Sequence, residues 1–183
     1  MEGSVTLALL WLCTGLVAAS EEHAIKDFDF LKFAGLWYEI AFAVKAGAPT
    51  KAPKVEKIGA VMLQLENSSL VLTAAHYEEH CVVEKTTAIK KVVPGTFTIV
   101  REGGNKEVRV LGTDYKTYAV MDVHFTMNGI RHQVLKLYSR SLDNNEKALE
   151  KFRKVAREHG FQEPDFHLLQ RDMACVTALQ GSV

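Results

Sequence analysis

The segment YAVMDVHFTMNGIRHQVLKLYS, residues 118–139, carries the clearest fold signal in the chain. Apolar and polar residues alternate on both sides of Asn128-Gly129, a dipeptide that strongly favours a tight β-hairpin turn. Alternation with a period of two indicates strands that are buried on one face only. The segment therefore predicts two antiparallel strands, over residues 118–125 and 131–139.

Similar alternating runs, separated by turn residues, precede this hairpin. They predict six further strands, over residues 36–43, 58–65, 70–77, 81–90, 96–101 and 107–111. Eight short strands at regular spacing are typical of an all-β barrel or sandwich. No repeat or linker divides the chain, so we expect one domain.

One segment after the last strand has helical periodicity instead. Asp143 and Glu146 have the spacing of a capping box, an apolar stripe runs from Ala148 to Ala156, and Gly160 ends the pattern. The opposite face is charged. We therefore expect one C-terminal α-helix, packed with its apolar stripe against the wall of the β-structure.

The N-terminus is typical of a secretory signal peptide. The apolar run 5–17 is too short to span a bilayer, and small residues precede an expected cleavage after Ala19. We predict a signal peptide over residues 1–19, a single domain over residues 20–183, and a secreted protein without membrane insertion. Asn67-Ser68-Ser69 is an acceptor sequence for N-glycosylation, which agrees with secretion.

The cysteine count is informative once the signal peptide is removed. Three cysteines are present, and Cys13 lies in the predicted signal peptide. Cys81 and Cys175 are then the only pair available in an oxidising compartment. We expect a disulfide between them.

Composition and motifs exclude several classes of function. The chain has 22 basic and 22 acidic residues, which gives no basic surplus for nucleic-acid binding. His76 and His80 match a zinc-peptidase pattern, but four residues of strand would separate the two rings by about 13 Å. No phosphate-binding loop or nucleophile elbow is present. We predict no metal, no cofactor, no catalytic residue and no enzymatic activity.

Three short motifs, taken together, resemble those of the lipocalins. They are Gly35-Leu36-Trp37 at the first strand, Thr113-Asp114-Tyr115 before the seventh, and Arg140 after the eighth. The resemblance implies an eight-stranded antiparallel up-and-down β-barrel with a C-terminal helix. It also implies structural roles for Gly35, Trp37, Thr113, Asp114, Tyr115 and Arg140 at the closed end, with the Arg140 guanidinium over the Trp37 indole.

Longer segments resemble the lipocalins of the epididymis that bind retinoic acid. They cover residues 26–29, 37–41, 80–85 and 136–145. This resemblance implies a secreted carrier of small hydrophobic ligands, above all all-trans and 9-cis retinoic acid in epididymal fluid, that supports sperm maturation. It identifies no cell-surface receptor.

Two alternatives stay open within the same family. One is a carrier of other lipophiles, such as odorants, pheromones or fatty acids, which would need much the same pocket. The other is a prostaglandin-isomerising lipocalin. That enzyme uses a cysteine inside the barrel, and the mature chain has no third cysteine to supply it.

The strand alternation predicts which residues point into the barrel. Counting from the three motifs and from the turn at Asn67, we expect the ligand to contact Met62, Leu70, Leu72, Ala74, Phe97, Ile99, Arg101, Val108, Val110, Ala119, Met121, Val123, Val134, Lys136 and Tyr138. Small side chains such as Ala74 and Ala119 leave space, which favours a pocket over a packed core.

Two members of this set are charged. An inward Lys136 needs an anionic ligand group, a neighbouring acid such as Glu39, or a path to solvent, because an unpaired buried ammonium is costly. Arg101 lies nearer the open end. It is either a second partner for a ligand carboxylate or a solvated arginine at the rim.

Overall fold

The computed structural model describes residues 25–45, 57–67 and 69–181. The predicted signal peptide and Cys13 lie outside these residues. The strands are β1 (Gly35–Val44), β2 (Gly59–Glu66), β3 (Ser69–Glu78), β4 (His80–Lys90), β5 (Thr96–Ile99), β6 (Lys106–Thr113), β7 (Tyr118–Met127), β8 (Ile130–Ser139) and β9 (Phe166–Leu168). The helices are α1 (Phe30–Phe33), α2 (Glu146–Glu158) and α3 (Ala174–Gln180), with a 3-10 turn at Glu163–Asp165.

The first eight strands form the predicted barrel. Each pairs antiparallel with the next from β2 to β8, β8 pairs with β1, and β1 pairs back to β2, so the sheet closes on itself. The predicted all-β, eight-stranded antiparallel barrel with a C-terminal helix is therefore confirmed. The short strand β9 was not predicted. It pairs with Ala41–Ala43, in the part of β1 beyond its pairing with β2.

A bulge in β1 changes which residues face inward. The register with β8 shifts between Glu39 and Ala41. Trp37 and Glu39 face the interior before the shift, and Phe42 and Val44 line the interior after it. Ile40 and Ala41 both pack outward in the layer under α2. One extra residue thus reverses the alternation halfway along the strand.

The helix α2 packs on the outside of the barrel as expected. Ala148, Phe152 and Ala156 are buried, in one cluster with Leu135 and Leu137 of β8. The predicted capping box is wrong, because the helix begins at Glu146, three residues after Asp143.

The start of α2 is held by a different residue from the one predicted. Asn145 occupies the position before Glu146, and its side-chain oxygen accepts a hydrogen bond from Ser139 Oγ at 2.7 Å. Asp143 is exposed and pairs with Arg171 at 2.9 Å. Asn145 thereby ties the start of the helix to the end of β8.

The closed end is built around Trp37 and Arg140. Trp37 is fully buried, and its Nε1 donates a hydrogen bond to the Phe33 carbonyl oxygen at 2.8 Å. The Arg140 guanidinium carbon lies 3.7 Å from the indole centroid. Its Nη1 and Nη2 donate to the carbonyl oxygens of Leu36 and Ala34 at 2.8 and 2.7 Å. The guanidinium therefore covers the indole of Trp37 and at the same time closes this end of the barrel.

Gly35 allows this close approach. Its φ is +101°, and a Cβ at this position would lie 3.0 Å from Arg140 Nη1. Any side chain would be strained by the backbone conformation and would also push the guanidinium away.

The turn before β7 completes the closed end. The carboxylate of Asp114 accepts hydrogen bonds from the amides of Lys116, Thr117 and Tyr118 at 3.1, 2.8 and 3.1 Å. Burial raises the pKa of Asp114, but these bonds and one from the Thr117 hydroxyl outweigh it and lower the pKa to about 2. Tyr115 adopts φ +64°, and its hydroxyl accepts a hydrogen bond from the Asp29 amide at 3.1 Å.

The disulfide between Cys81 and Cys175 is confirmed. It joins the start of β4 to α3 across a sequence separation of 94 residues. Cys175, Val176 and Leu179 of α3 are buried on the outer face of β2 and β3, against Ile58, Ala60 and Ala75. The bond therefore fixes the C-terminal helix to the outside of the barrel.

We predict that Arg140→Lys lowers the free energy of unfolding by about 3 kcal/mol. A lysine keeps the charge but cannot place several donors on the carbonyls of the N-terminal segment while stacking on Trp37. Urea denaturation followed by tryptophan fluorescence measures the change. Lys116→Arg in the exposed part of the neighbouring turn is the control, and equal stability of both variants and the wild type would contradict the role given to Arg140.

We predict that Cys81→Ala together with Cys175→Ala lowers the free energy of unfolding by about 4–5 kcal/mol, because the unfolded chain loses a long closed loop. Urea denaturation with and without a reducing agent tests this. The reduced wild type should match the double variant. A double variant as stable as the oxidised wild type would show that α3 is held by packing alone.

Candidate ligand cavity

A cavity of about 1190 Å³ fills the barrel interior and extends through its open end to rim residues that include Lys57, Glu78 and Glu79. Its floor is the packed cluster around Phe33 and Trp37, and its apolar wall includes Val61, Leu72 and Val108. Ligand sites in proteins commonly have volumes of about 300–1,000 Å³ and apolar walls with a few polar groups. The interior is therefore a pocket of ligand size rather than a packed core.

Most residues predicted to contact a ligand do line this cavity. They are Leu72, Ala74, Phe97, Ile99, Arg101, Val108, Met121, Val123, Val134, Lys136 and Tyr138. Their placement follows from strand alternation. Their contact with a ligand stays a prediction.

Three predicted residues face inward but lie below the cavity. Leu70, Val110 and Ala119 are at most 1% exposed and belong to the same cluster as Trp37. They fill the closed end instead of lining the pocket, because the inward rows of side chains continue to the floor of the barrel.

Met62 was assigned to the wrong face. Val61 and Leu63 line the cavity, so Met62 between them lies on the outer face. The reason is the pairing across the turn, where Leu63 lies opposite Leu72 and Val61 opposite Ala74. Opposite residues share a face, so an inward Leu72 requires an inward Leu63.

Several lining residues were not predicted. Phe42 and Val44 were missed because the bulge reverses the alternation in β1. Glu84 lies opposite Ala74 on the next strand, and this pairing could have identified it. Lys106 was missed because the predicted strand began one residue later. It lies opposite Phe125, which also lines the cavity.

Lys136 is paired inside the barrel. Its Nζ lies 2.9 Å from the Glu39 carboxylate, which also accepts a hydrogen bond from the Tyr138 hydroxyl at 3.0 Å. Burial raises the pKa of Tyr138 well above its usual value, and the negative charge of Glu39 adds to the effect. Of the partners considered for Lys136, the structure thus shows the neighbouring acid.

Arg101 is paired as well. Its Nη2 donates to both oxygens of Glu84 at 2.6 Å, and both side chains are about one-third exposed near the open end. Arg101 is therefore a rim residue held by an acid of β4.

Lys106 differs from these two cations. Among the described residues, no carboxylate lies within ion-pair distance of its Nζ, which is 5.9 Å from the Phe125 ring centroid. Burial, together with the positive charges of Lys136 and Arg101, lowers the pKa of Lys106 to about 8, although Glu39 and Glu84 act in the opposite direction. Among the described residues that line the cavity, Lys106 is therefore a cation without a close counter-ion.

The described residues contain neither a candidate metal site nor a membrane-spanning helix. No group of three or more His, Cys, Asp or Glu side chains among them could hold a metal ion. His76 lies on β3 and His80 begins β4, so the motif that contains them is not on a helix. Within the same residues, no helix has the length and apolar character needed to span a bilayer. Asn67 is exposed in the turn between β2 and β3, and its glycosylation stays a prediction.

A closed eight-stranded barrel around one apolar cavity defines a class of small-molecule-binding β-barrels. Sequence comparison narrows this class. The sequence model described as "Lipocalin / cytosolic fatty-acid binding protein family" matches residues 34–170. The chain belongs to the lipocalin family.

Individual relatives agree with this assignment. The rat protein named Epididymal-specific lipocalin-5 is 49% identical over 183 residues, which cover 100% of this chain and 97% of the rat protein. The chicken Extracellular fatty acid-binding protein is 31% identical over 176 residues, 94% of this chain and 95% of its own.

A solved structure has the same fold. It is described as "The Siderocalin Ex-FABP functions through dual ligand specificities", has a TM-score of 0.69 and is 29% identical in sequence. The alignment covers 79% of this chain and 97% of the other.

We predict that Lys106→Met raises the free energy of unfolding at pH 7 by about 1–2 kcal/mol, after allowance for the partial exposure of the side chain. Below pH 8 the folded wild type holds a poorly solvated ammonium. Between pH 8 and 10.5 the folded state loses this proton before the unfolded chain does, so the advantage of the variant should shrink.

Urea denaturation at pH 7 and pH 10 measures this difference. Lys85→Met on the outer wall is the control, because its side chain is 62% exposed and no such gain is expected. A Lys106→Met variant that is less stable than the wild type at pH 7 would contradict the conclusion that Lys106 carries a poorly solvated charge without a close counter-ion.

Proposed function

We propose that this protein is a secreted carrier that holds a small hydrophobic ligand inside its barrel, and that the ligand is a retinoid, all-trans or 9-cis retinoic acid, carried in epididymal fluid during sperm maturation. The observation that carries the proposal is the cavity of about 1190 Å³ with a largely apolar wall. Secretion rests on the predicted signal peptide over residues 1–19.

The chemistry of the cavity wall suits a largely apolar molecule. Phe42, Phe97 and Phe125 contribute aromatic surface to the wall, and the charged residues Glu39 and Lys136 neutralise each other. Burial of about 400 Å² of apolar ligand surface gives on the order of 10 kcal/mol before the costs of ordering the ligand. A dissociation constant below about 1 μM is therefore expected.

The relatives support the carrier role and the tissue. Epididymal-specific lipocalin-5 of rat and of mouse are 49% and 48% identical to this chain over essentially its full length. The choice of retinoic acid rests on the resemblance of residues 26–29, 37–41, 80–85 and 136–145 to epididymal lipocalins that bind it.

A fatty acid is the second candidate ligand. The chicken relative is named for fatty-acid binding, and its similarity extends over 94% of this chain. A fatty acid and retinoic acid share a long apolar body with one terminal carboxylate, so the same cavity suits both.

We do not propose prostaglandin isomerisation. That reaction would need a free cysteine thiolate in the barrel. Cys81 and Cys175 are bonded to each other, and Cys175, in α3, is buried against the outer face of the barrel. We therefore propose a binding protein without catalytic activity.

The proposed function predicts that residues 20–183, expressed with the disulfide intact, bind all-trans and 9-cis retinoic acid with a dissociation constant below about 1 μM. Trp37 is the only tryptophan of this mature chain, so quenching of its fluorescence reports ligand in the cavity. Palmitic acid is titrated in parallel. Tenfold tighter binding of palmitic acid would favour the second candidate, and binding of neither class would contradict the carrier role.

Two variants test whether binding occurs inside the barrel. Ala74→Phe fills part of the cavity and should weaken retinoid binding at least threefold. Thr87→Phe adds the same side chain at an exposed position of β4 and should have no effect. Equal affinities of the two variants would place the ligand outside the cavity.

A further inference from the structure

Exposed aliphatic side chains collect at the closed end of the barrel, away from the cavity mouth. Val92 and Val93 lie in the turn between β4 and β5, and Leu31 lies in α1. Val92 is fully exposed and Leu31 is 76% exposed. Apolar surface with a polar rim marks sites where a protein contacts another molecule. These three side chains are therefore candidates for such a contact.

The two segments that carry them pack against each other. The Nζ of Lys90, at the end of β4, lies 5.2 Å from the centroid of the Phe30 ring in α1. A Cβ on Gly95, in the turn, would lie 3.3 Å from Phe28 Cδ2, and the rings of Phe28 and Phe30 are 4.8 Å apart. The exposed side chains of α1 and of the turn thus belong to one region of the surface.

The turn between β4 and β5 is held by backbone hydrogen bonds. The Lys91 amide donates to the Thr96 carbonyl oxygen at 2.9 Å, and the Thr96 amide donates to that of Val93 at 3.1 Å. The amide of Val110 on β6 donates to the Gly95 carbonyl oxygen at 2.9 Å. The tip of the turn is therefore presented in a fixed conformation, and a partner would not have to order it.

Three exposed lysines adjoin the aliphatic side chains. Lys32 follows Leu31 in α1, and Lys90 and Lys91 directly precede Val92. Together they form a basic apolar patch, which consists of Leu31, Lys32, Lys90, Lys91, Val92 and Val93.

The acids near this patch do not cancel its charge. Asp29 accepts hydrogen bonds from the amides of Leu31 and Lys32 at 2.9 and 3.2 Å, and one of its oxygens lies 3.5 Å from the Lys32 Nζ. The turn residues 90–96 include no acid. Within the described part of the chain, no carboxylate pairs with Lys90 or Lys91. Two positive charges therefore remain beside the exposed valines.

We propose that the basic apolar patch docks this protein on an anionic phospholipid bilayer. The aliphatic side chains would enter the headgroup layer, and the lysines would lie beside the lipid phosphates. Reversible binding to a membrane surface commonly combines these two contributions. One end of the folded protein makes the contact, so no part of the chain spans the bilayer. The proposal goes beyond the proposed function and does not depend on which ligand the cavity holds.

The size and shape of the patch favour a lipid surface over a protein partner. A stable protein interface covers about 800 Å² on each side and requires a complementary surface. Here the apolar part is limited to three side chains, and the most exposed of them, Val92, is at a projecting turn. A bilayer adapts to such a projection, and its anionic headgroups complement the lysines.

Docking by this patch would set the orientation of the barrel. The patch lies at the end closed by Trp37 and Arg140, whereas the cavity opens at the other end. The open end would therefore face the surrounding fluid while the protein is bound to a membrane. Ligand could then be exchanged with the fluid without release of the protein.

The test measures binding of residues 20–183, with the disulfide intact, to vesicles of phosphatidylcholine that contain about 30% phosphatidylserine. The wild type should sediment with these vesicles, less so as salt is added, and should not sediment with pure phosphatidylcholine. Lys91→Gln combined with Val92→Ser should weaken binding at least tenfold, because one lysine alone contributes roughly fivefold. Lys154→Gln combined with Leu168→Ser removes the same types of exposed side chain from α2 and β9 and is the matched control.

A second measurement reports which surface touches the lipid. Val92→Trp should show a blue shift of its fluorescence on addition of the anionic vesicles, and Leu168→Trp should not. Trp37 is fully buried, so its unchanged emission in the absence of vesicles shows that each variant is folded.

Three results would overturn the proposal. The first is a wild type that does not bind the anionic vesicles at low salt. The second is equal weakening, or none, in the patch variant and its control. The third is retention on immobilised polyglutamate without binding to vesicles, which would indicate an acidic protein partner instead. None of these results bears on retinoid binding in the cavity, so the proposed function is tested separately.

Discussion

The stacking of the Arg140 guanidinium on Trp37 is the contact on which the rest of the structure depends. It joins the end of β8 to the first residues of β1, and hydrogen bonds from the same group reach the segment after α1. These elements are more than 100 residues apart in sequence. Because side chains close the barrel at this end, the strands can leave the other end open, and the space above Trp37 forms the cavity. A cavity and a stable core can therefore coexist within eight strands.

Alternation and turn residues were sufficient to predict the eight barrel strands and helix α2, because each of these elements buries one regular face. The elements that were missed have no such pattern. α1, β9 and α3 contain 4, 3 and 7 residues and are held by tertiary contacts and, for α3, by the disulfide. Within the site, the prediction that Met62 faces inward was wrong, because the alternation in β2 was counted without its pairing to β3 across the turn. Phe42 was missed because of the bulge in β1, and Lys106 was missed because β6 begins one residue earlier than predicted. Both features depend on how a strand pairs with its neighbours, and the residue pattern of a single strand does not show this.

The polar groups inside the barrel follow one electrostatic rule. Two acids of the cavity wall are each held by a basic side chain from a different part of the chain, Glu39 by Lys136 and Glu84 by Arg101. Removing such a pair of charged groups from water is unfavourable, and breaking the pair is strongly destabilising because it leaves one buried charge without a partner. They are therefore poor partners for a ligand, although they are the polar groups that alternation predicts most easily. The net charge of the chain, which is zero, gives no indication of these ion pairs, because it is only the sum of all charges.

The bulge at Ile40 has a consequence for how this chain can change over evolutionary time. Ile40 and Ala41 both pack under α2, whereas Glu39 and Phe42 on either side of them face the cavity. Deleting either of these two outward residues would restore simple alternation and leave Phe42 and Val44 inside, with the loss of one contact with the helix. Deleting a residue elsewhere in β1 while the bulge is kept would instead turn the side chains beyond the deletion to the opposite face. The bulge is thus a position at which β1 can lose a residue without exchanging its inner and outer faces.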